Sequence, residues 1–136
     1  MNIVVMDGQG GGLGAQLVSA IIKSIPQARI RAVGTNTTAT AAMIKAGASE
    51  AATGENATIV ACRIADVIVG PIGIVVADAM LGEVTPAMAQ AVGQSNARRI
   101  LIPISQCDNI VVGISGMPAS KLLQSAIAHI LGQAND

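Results

Sequence analysis

The sequence predicts an α/β domain in which a doubly wound, mostly parallel sheet lies between two layers of helices. Three observations lead there. Short, near-continuous apolar runs rich in β-branched residues recur along the chain, the pattern of strands buried on both faces. Segments with apolar residues at helical spacing alternate with these runs, as in α/β folds. The first run, Asn2 to Met6, leads into Asp7-Gly8-Gln9-Gly10-Gly11-Gly12-Leu13-Gly14, with five glycines in seven residues directly before a helical pattern.

The elements follow in order. After Gly14, the residues Leu17, Val18, Ile21, Ile22 and Ile25 recur at helical spacing until Pro26 stops them. Arg29 to Val33 is a second strand, and Gly34-Thr35-Asn36 leads to a helix capped by Thr37 or Thr38, carrying Ala39, Ala42, Met43 and Ala46 and ending at Gly47. A short strand at Glu50 to Ala52 precedes a helix from Glu55 to Ile64. Asp66 to Gly70 and Arg99 to Pro103 are two further buried strands. Between them two apolar helices are expected, Ile74 to Leu81 and Thr85 to Val92, the second opening with a Thr85 cap and Pro86 at its first position. Ile110 to Ile114 is expected as a sixth strand, and Ala119 to Leu131 as a closing helix with Leu122, Leu123, Ala126, Ile127 and Ile130 inward. Residues 1–136 then make one Rossmann-like three-layer sandwich, strand order 3-2-1-4-5 with the sixth strand outside.

Composition narrows the function. Eight acidic and eight basic side chains cancel, and there is no Phe, Tyr or Trp. Without a basic face or an aromatic stacking platform, nucleic acid is not the expected partner. The longest apolar stretch, Val67 to Ala77, is half of what a bilayer requires and is broken by Gly70-Pro71 and Gly73, so no membrane role is expected. The N-terminal residues do not read as a secretory signal, and a cytoplasmic location is expected. Cys62, Cys107 and His129 lack metal-ligand spacing, so no metal site is expected and the cysteines are inert free thiols. Charged residues are only 12% of the chain, too few to cover a small monomer, and a homo-oligomer is expected.

The glycines carry the main functional signal. Gly10-x-Gly12-x-x-Ala15 matches the dinucleotide-binding turn, which uses glycine for a tight bend, for close approach of the backbone to a pyrophosphate and for helix packing. The bland alternative is a turn that only lets the helix pack. Gly8, Gln9, Gly10, Gly11, Gly12, Leu13 and Gly14 are therefore the candidate phosphate cradle. Residues after the other strands fall at the same sheet edge, which adds Thr35 and Asn36 together with Gly70, Pro71 and Ile72, the last three either a second backbone-approach loop or a plain turn. Ser105-Gln106-Cys107 follows the fifth strand; Cys107 would be a nucleophile only with a base nearby, and His129 is expected on the far, closing helix, so a buried inert thiol is the expectation.

Three departures from dehydrogenases stand out. No Asp or Glu occurs between Asp7 and Glu50, so the acid that holds a ribose at the end of the second strand is missing, leaving Thr35 or Asn36 for that task. No arginine follows that strand to take a 2′-phosphate. The tyrosine of short-chain dehydrogenases is absent with all other tyrosines. Asp7 either caps the glycine turn or holds a magnesium ion beside a phosphate. Glu55 and Asn56 are substrate or second-layer candidates, with dipole complementation the alternative for Glu55. Glu83 is taken as a turn residue, and Asp78 as an acid that could face a partner subunit.

Taken together, Asp7 to Gly14, Gly34-Thr-Asn36, Ala52-Thr-Gly-Glu-Asn-Ala57, Val69-Gly-Pro-Ile-Gly-Ile-Val75 and Gly82-Glu-Val-Thr-Pro-Ala-Met-Ala89 resemble an uncharacterised family of short bacterial Rossmann-like proteins, catalogued as a domain of unknown function. The resemblance implies the fold and no activity. The expectation is thus a protein that binds a nucleotide or other phosphate-bearing small molecule, with NAD or NADP as cofactor and no catalytic residue assigned. The alternatives are a regulatory or scaffolding oligomer with a sensor or vestigial site, and a magnesium-dependent mononucleotide or phosphometabolite enzyme.

Overall fold

The computed structural model describes residues 1–104 and 108–132. Five parallel strands, β1 (Asn2–Asp7), β2 (Arg29–Gly34), β3 (Glu50–Thr53), β4 (Val67–Pro71) and β5 (Arg98–Ile102), form one sheet in the order β3-β2-β1-β4-β5. The expected order of these five is the observed one. Helices α1 (Gly12–Ser24), α2 (Thr37–Lys45), α3 (Glu55–Ile64), α4 (Pro86–Gln94) and α5 (Ala119–Ile130) alternate with the strands. Val4 and Met6 pack on one face with Cys62, Met88 and Val92, while Ile3 and Val5 pack on the other with Leu17, Ile21, Met43 and Ala126. That division of alternate β1 residues puts α1, α2 and α5 on one side of the sheet and α3 and α4 on the other.

Sequence explains most of the boundaries. Thr85 caps α4 by accepting the Met88 N–H at 3.2 Å, with Pro86 following as expected. For α2 the cap is Asn36 rather than Thr37 or Thr38, since its backbone is extended and its Oδ1 accepts from the Ala39 N–H at 2.8 Å. An asparagine carbonyl is as good an N-cap as a hydroxyl and stands one residue earlier.

Two expected elements do not form. Ile74 to Leu81 is a short 3-10 turn at Ile72–Val75 followed by turns in which Asp78, Met80 and Leu81 have φ of 66°, 58° and 58°. The buried residues Ile74, Ala79 and Val84 recur every five positions, which on an α-helix rotates them about 140° per step, so no single helix face could bury them. Ile110 to Ile114 is not a strand either. Asp108 and Gly113, at φ 62° and 93°, bracket only four residues, and Ile110 and Val112 are 90% and 91% exposed. The sheet therefore stops at β5 among the described residues.

Register sets the site edge. Asp7 pairs with Gly34, Gly34 with Thr53, and Pro71 with Ile102, so the carboxyl ends of all five strands come to one edge. Successive strands build outward from β1 to β3, then cross back to β4, and the crevice at such a switch point is where open α/β sheets hold ligands.

Candidate functional site at the switch point

The glycine turn begins at Asp7, which is 5% exposed. Its carboxylate folds back on the chain, Oδ1 accepting the Gly8 N–H at 2.8 Å and Oδ2 the Gly14 N–H at 2.7 Å. The turn is thus closed from inside, the capping alternative for Asp7, with a backbone donor on each oxygen. Burial pushes this carboxyl above its ordinary value, the Gly14 and Gly8 N–H groups pull it down, and the nearby Glu83 charge adds to the rise. Asp7→Ala leaves two N–H groups without their acceptor at a cost of ~1–3 kcal/mol each, offset in part by relief of the buried charge. A net loss of about 2 kcal/mol is expected, roughly 8 °C in the melting temperature by far-ultraviolet circular dichroism, and an unchanged melt would refute the bracing role.

The five glycines then divide by physical need. Gly11 has φ 75°, and a Cβ there would lie 2.7 Å from Ala39 Cα. A Cβ on Gly14 would lie 2.6 Å from Met43 Sδ, and one on Gly8 would lie 2.6 Å from Met80 Sδ. These three serve the turn and the packing of α1 on α2 and the β4–α4 loop. Gly10 and Gly12 do not: both are exposed, neither has positive φ, and a Cβ on either would meet nothing within 4 Å. Their backbone borders a cleft of about 460 Å³ whose other wall is Pro71, Gly73, Met80 and Ile104. The N–H groups of Gly10, Gly12 and Leu13 have no hydrogen-bond acceptor among the described residues. Three free donors at the start of a 13-residue helix, with no acidic side chain in its first turn, form an electropositive rim suited to a phosphate.

The other expected residues divide as well. Pro71 and Gly73 line the cleft beside the whole run from Gly8 to Leu13, and Ile72 between them does not. Gly70 has a structural reason, because a Cβ there would run into the Met6 carbonyl oxygen on the adjacent strand. Thr35 and Asn36 lie outside the cleft wall but join the turn: the Thr35 N–H donates to the Asp7 carbonyl at 3.0 Å, and Asn36 Nδ2 to the Gln9 carbonyl at 3.0 Å. Glu55 stands in the first turn of α3 and accepts from Thr85 Oγ1 at 2.8 Å. Neither it nor Asn56 borders the cleft. Ser105-Gln106-Cys107 lies outside the described residues. Cys62 is a buried thiol that desolvation pushes up to about 11, consistent with an inert group, and His129 sits in the last turn of α5.

Glu83 is the residue that sequence reasoning missed. From the turn before α4 it crosses to the end of β2, where its Oε1 accepts from the Gln9 N–H at 2.8 Å, Thr35 Oγ1 at 2.7 Å and Asn36 Nδ2 at 2.7 Å. The Gln9 N–H, with Thr35 and Asn36, holds its carboxyl below the usual range against a smaller effect of burial. The available signal was its place after β4, at the sheet edge where an acid was wanted and β2 had none. A larger groove of about 500 Å³ runs between α3 and α4, but its walls include Ala65 and Ala97, which precede β4 and β5. That is the amino-terminal edge of the sheet, away from the switch point.

The chain belongs to the family described as Domain of unknown function (DUF3842), whose model matches residues 2–135. No curated protein matches the sequence. Among solved structures, the chain is similar to a dodecameric FMN-dependent Ubix-like decarboxylase from Escherichia coli O157:H7, at 16% identity and a TM-score of 0.44 over 98% of this chain and 93% of that one. At that identity and score the likeness bears on neither ligand nor assembly. No helix among the described residues is long and apolar enough to cross a membrane.

Proposed function

We propose that the protein binds a nucleotide, its phosphates on the N–H groups of Gly10, Gly12 and Leu13 and the remainder in the cleft toward Pro71, Gly73 and Met80, with NAD or NADP as the nucleotide. One observation carries this reading: glycine at positions 10 and 12 serves neither a backbone conformation nor a packing contact of the chain itself. Glycine loses more conformational freedom on folding than any other residue, so two that the fold does not require, standing where the backbone borders a cleft, favour a partner outside the chain that approaches that backbone. A cleft of about 460 Å³ lies within the range of small-molecule sites. Asp7 and Glu83 are both engaged in holding backbone, so the residues bind and orient, and no reaction is assigned to them.

The alternatives have less support. A magnesium site at Asp7 would need an oxygen that the Gly8 and Gly14 N–H groups now hold. A scaffolding role loses the apolar helix expected at Ile74 to Leu81. Exposed Ile22, Ile44, Val60 and Ile64 on the outer helices favour self-association, and a homo-oligomer remains part of the proposal.

Melting followed by circular dichroism tests the reading, against NAD, NADP, FMN, FAD, ATP, GTP and coenzyme A with and without magnesium. A ligand present at a hundred times its dissociation constant stabilises by ~2.7 kcal/mol, a rise of several degrees. The rise is expected with NAD or NADP without magnesium. No rise with any nucleotide would sink the proposal.

A further inference from the structure

The carboxylate of Glu83 is held by one oxygen. All three of its hydrogen bonds, from Gln9, Thr35 and Asn36, fall on Oε1, and Oε2 receives none from any described residue. We propose that Glu83 is the ribose-binding acid of this protein, presenting Oε2 to the hydroxyls of a bound nucleotide and selecting a ribose with a free 2′-hydroxyl over one that carries a 2′-phosphate. This rests on the nucleotide reading above.

Position supports the assignment. In dinucleotide-binding sheets an acid at the carboxyl end of β2 accepts hydrogen bonds from the ribose beside the glycine turn. Here β2 ends in Gly34-Thr35-Asn36, and no acidic residue occurs on the chain between Asp7 and Glu50. Glu83 comes from the β4–α4 connection instead and, like Thr35 and Asn36, stands just outside the cleft wall, bonded at once to Gln9 of that wall and to the end of β2 through Thr35 and Asn36. Asn36 is itself fixed, its Oδ1 capping α2 and its Nδ2 shared between Glu83 and the Gln9 carbonyl. The carboxylate is therefore set in place before a ligand arrives, which limits the ordering cost of binding.

Charge supports the discrimination. The three donors on Oε1 favour the ionised form, and a 2′-phosphate beside it would be repelled. Acceptance of a 2′-phosphate calls for an arginine at this point. The two arginines of β2 lie toward its start, and both pair with Glu50, Arg29 at 3.1 Å and Arg31 at 2.8 Å.

Isothermal titration of NAD and NADP into the whole protein, its Glu83→Gln variant and its Glu83→Ala variant provides the test. The unaltered protein is expected to bind NAD at least ~30-fold more tightly than NADP, since a hydrogen bond to a charged group and a like-charge contact both act on the ratio. Both variants are expected to narrow that ratio to below ~5-fold, chiefly by weakening NAD, with their melting checked by circular dichroism. Equal affinity of the unaltered protein for NAD and NADP overturns the assignment whether or not the variants fold, and leaves the nucleotide reading intact. Tighter NAD binding by Glu83→Ala also overturns it, because Glu83 would then be competing with the ligand. Absence of binding by both dinucleotides overturns the choice of NAD or NADP itself, and this inference with it.

Discussion

Gly70→Ala is expected to cost at least ~3 kcal/mol, enough to remove much of the 5–15 kcal/mol that holds a typical domain folded. The added methyl would be driven into the Met6 carbonyl oxygen and would also press on Ile74 Cδ1 at 3.2 Å. Met6 belongs to β1 and Gly70 to β4, neighbouring central strands, so relief requires moving one backbone against the other. Overpacking against a flexible side chain can be absorbed by a rotamer change, whereas a sheet interior has no comparable freedom. Chemical denaturation followed by circular dichroism should show the loss directly. A loss below ~1 kcal/mol would mean that β1 and β4 are not packed as described.

Gly12→Val gives the opposite pattern: binding is lost and the fold is kept. Nothing beyond its own helix turn lies within 4 Å of a Cβ at this position and φ is not positive, so a branched side chain starts into open space. Valine is also a better helix residue than glycine by a few tenths of a kcal/mol, so the melt should be unchanged or slightly raised. The isopropyl group would stand at the exposed first residue of α1, over the N–H groups assigned to phosphate. Nucleotide affinity is expected to fall at least ~100-fold, the loss of about two hydrogen bonds to a charged group. Titration with whichever nucleotide stabilises the parent protein makes the check. Retained affinity in a folded Gly12→Val protein would remove the glycine turn from the binding site.

Those two substitutions also show where the sequence was legible. Apolar runs such as Ile3 to Met6 and Val67 to Val69 were legible as buried strands because helical segments alternate with them, and that alternation carried the topology. The glycine turn was recognisable because it stood between strand and helix. Its inner division was hidden, since nothing in a row of glycines says which are required by Ala39, Met43 and Met80 and which meet nothing in the chain. The segment from Ile74 to Leu81 misled because its composition suits a helix, whereas burial spaced every five residues and three left-handed residues belong to a folded turn. Ile110 to Ile114 misled in the same way, with strand composition but no face to bury. Glu83 was harder to read for a different reason: its place after β4 pointed to the site edge, but its partners Gln9, Thr35 and Asn36 are far away along the chain.

That distance bears on when the site comes into being. The three hydrogen bonds to Glu83 span 74, 48 and 47 residues, and closing such loops is among the slowest steps in assembling an α/β chain. The glycine turn can form within a local strand–turn–helix unit, but its carboxylate arrives only when β4 has crossed the sheet and the turn before α4 has closed. A partly folded chain would carry the proposed phosphate cradle without the acid proposed for the ribose. During refolding, nucleotide binding should therefore lag behind recovery of the helical signal.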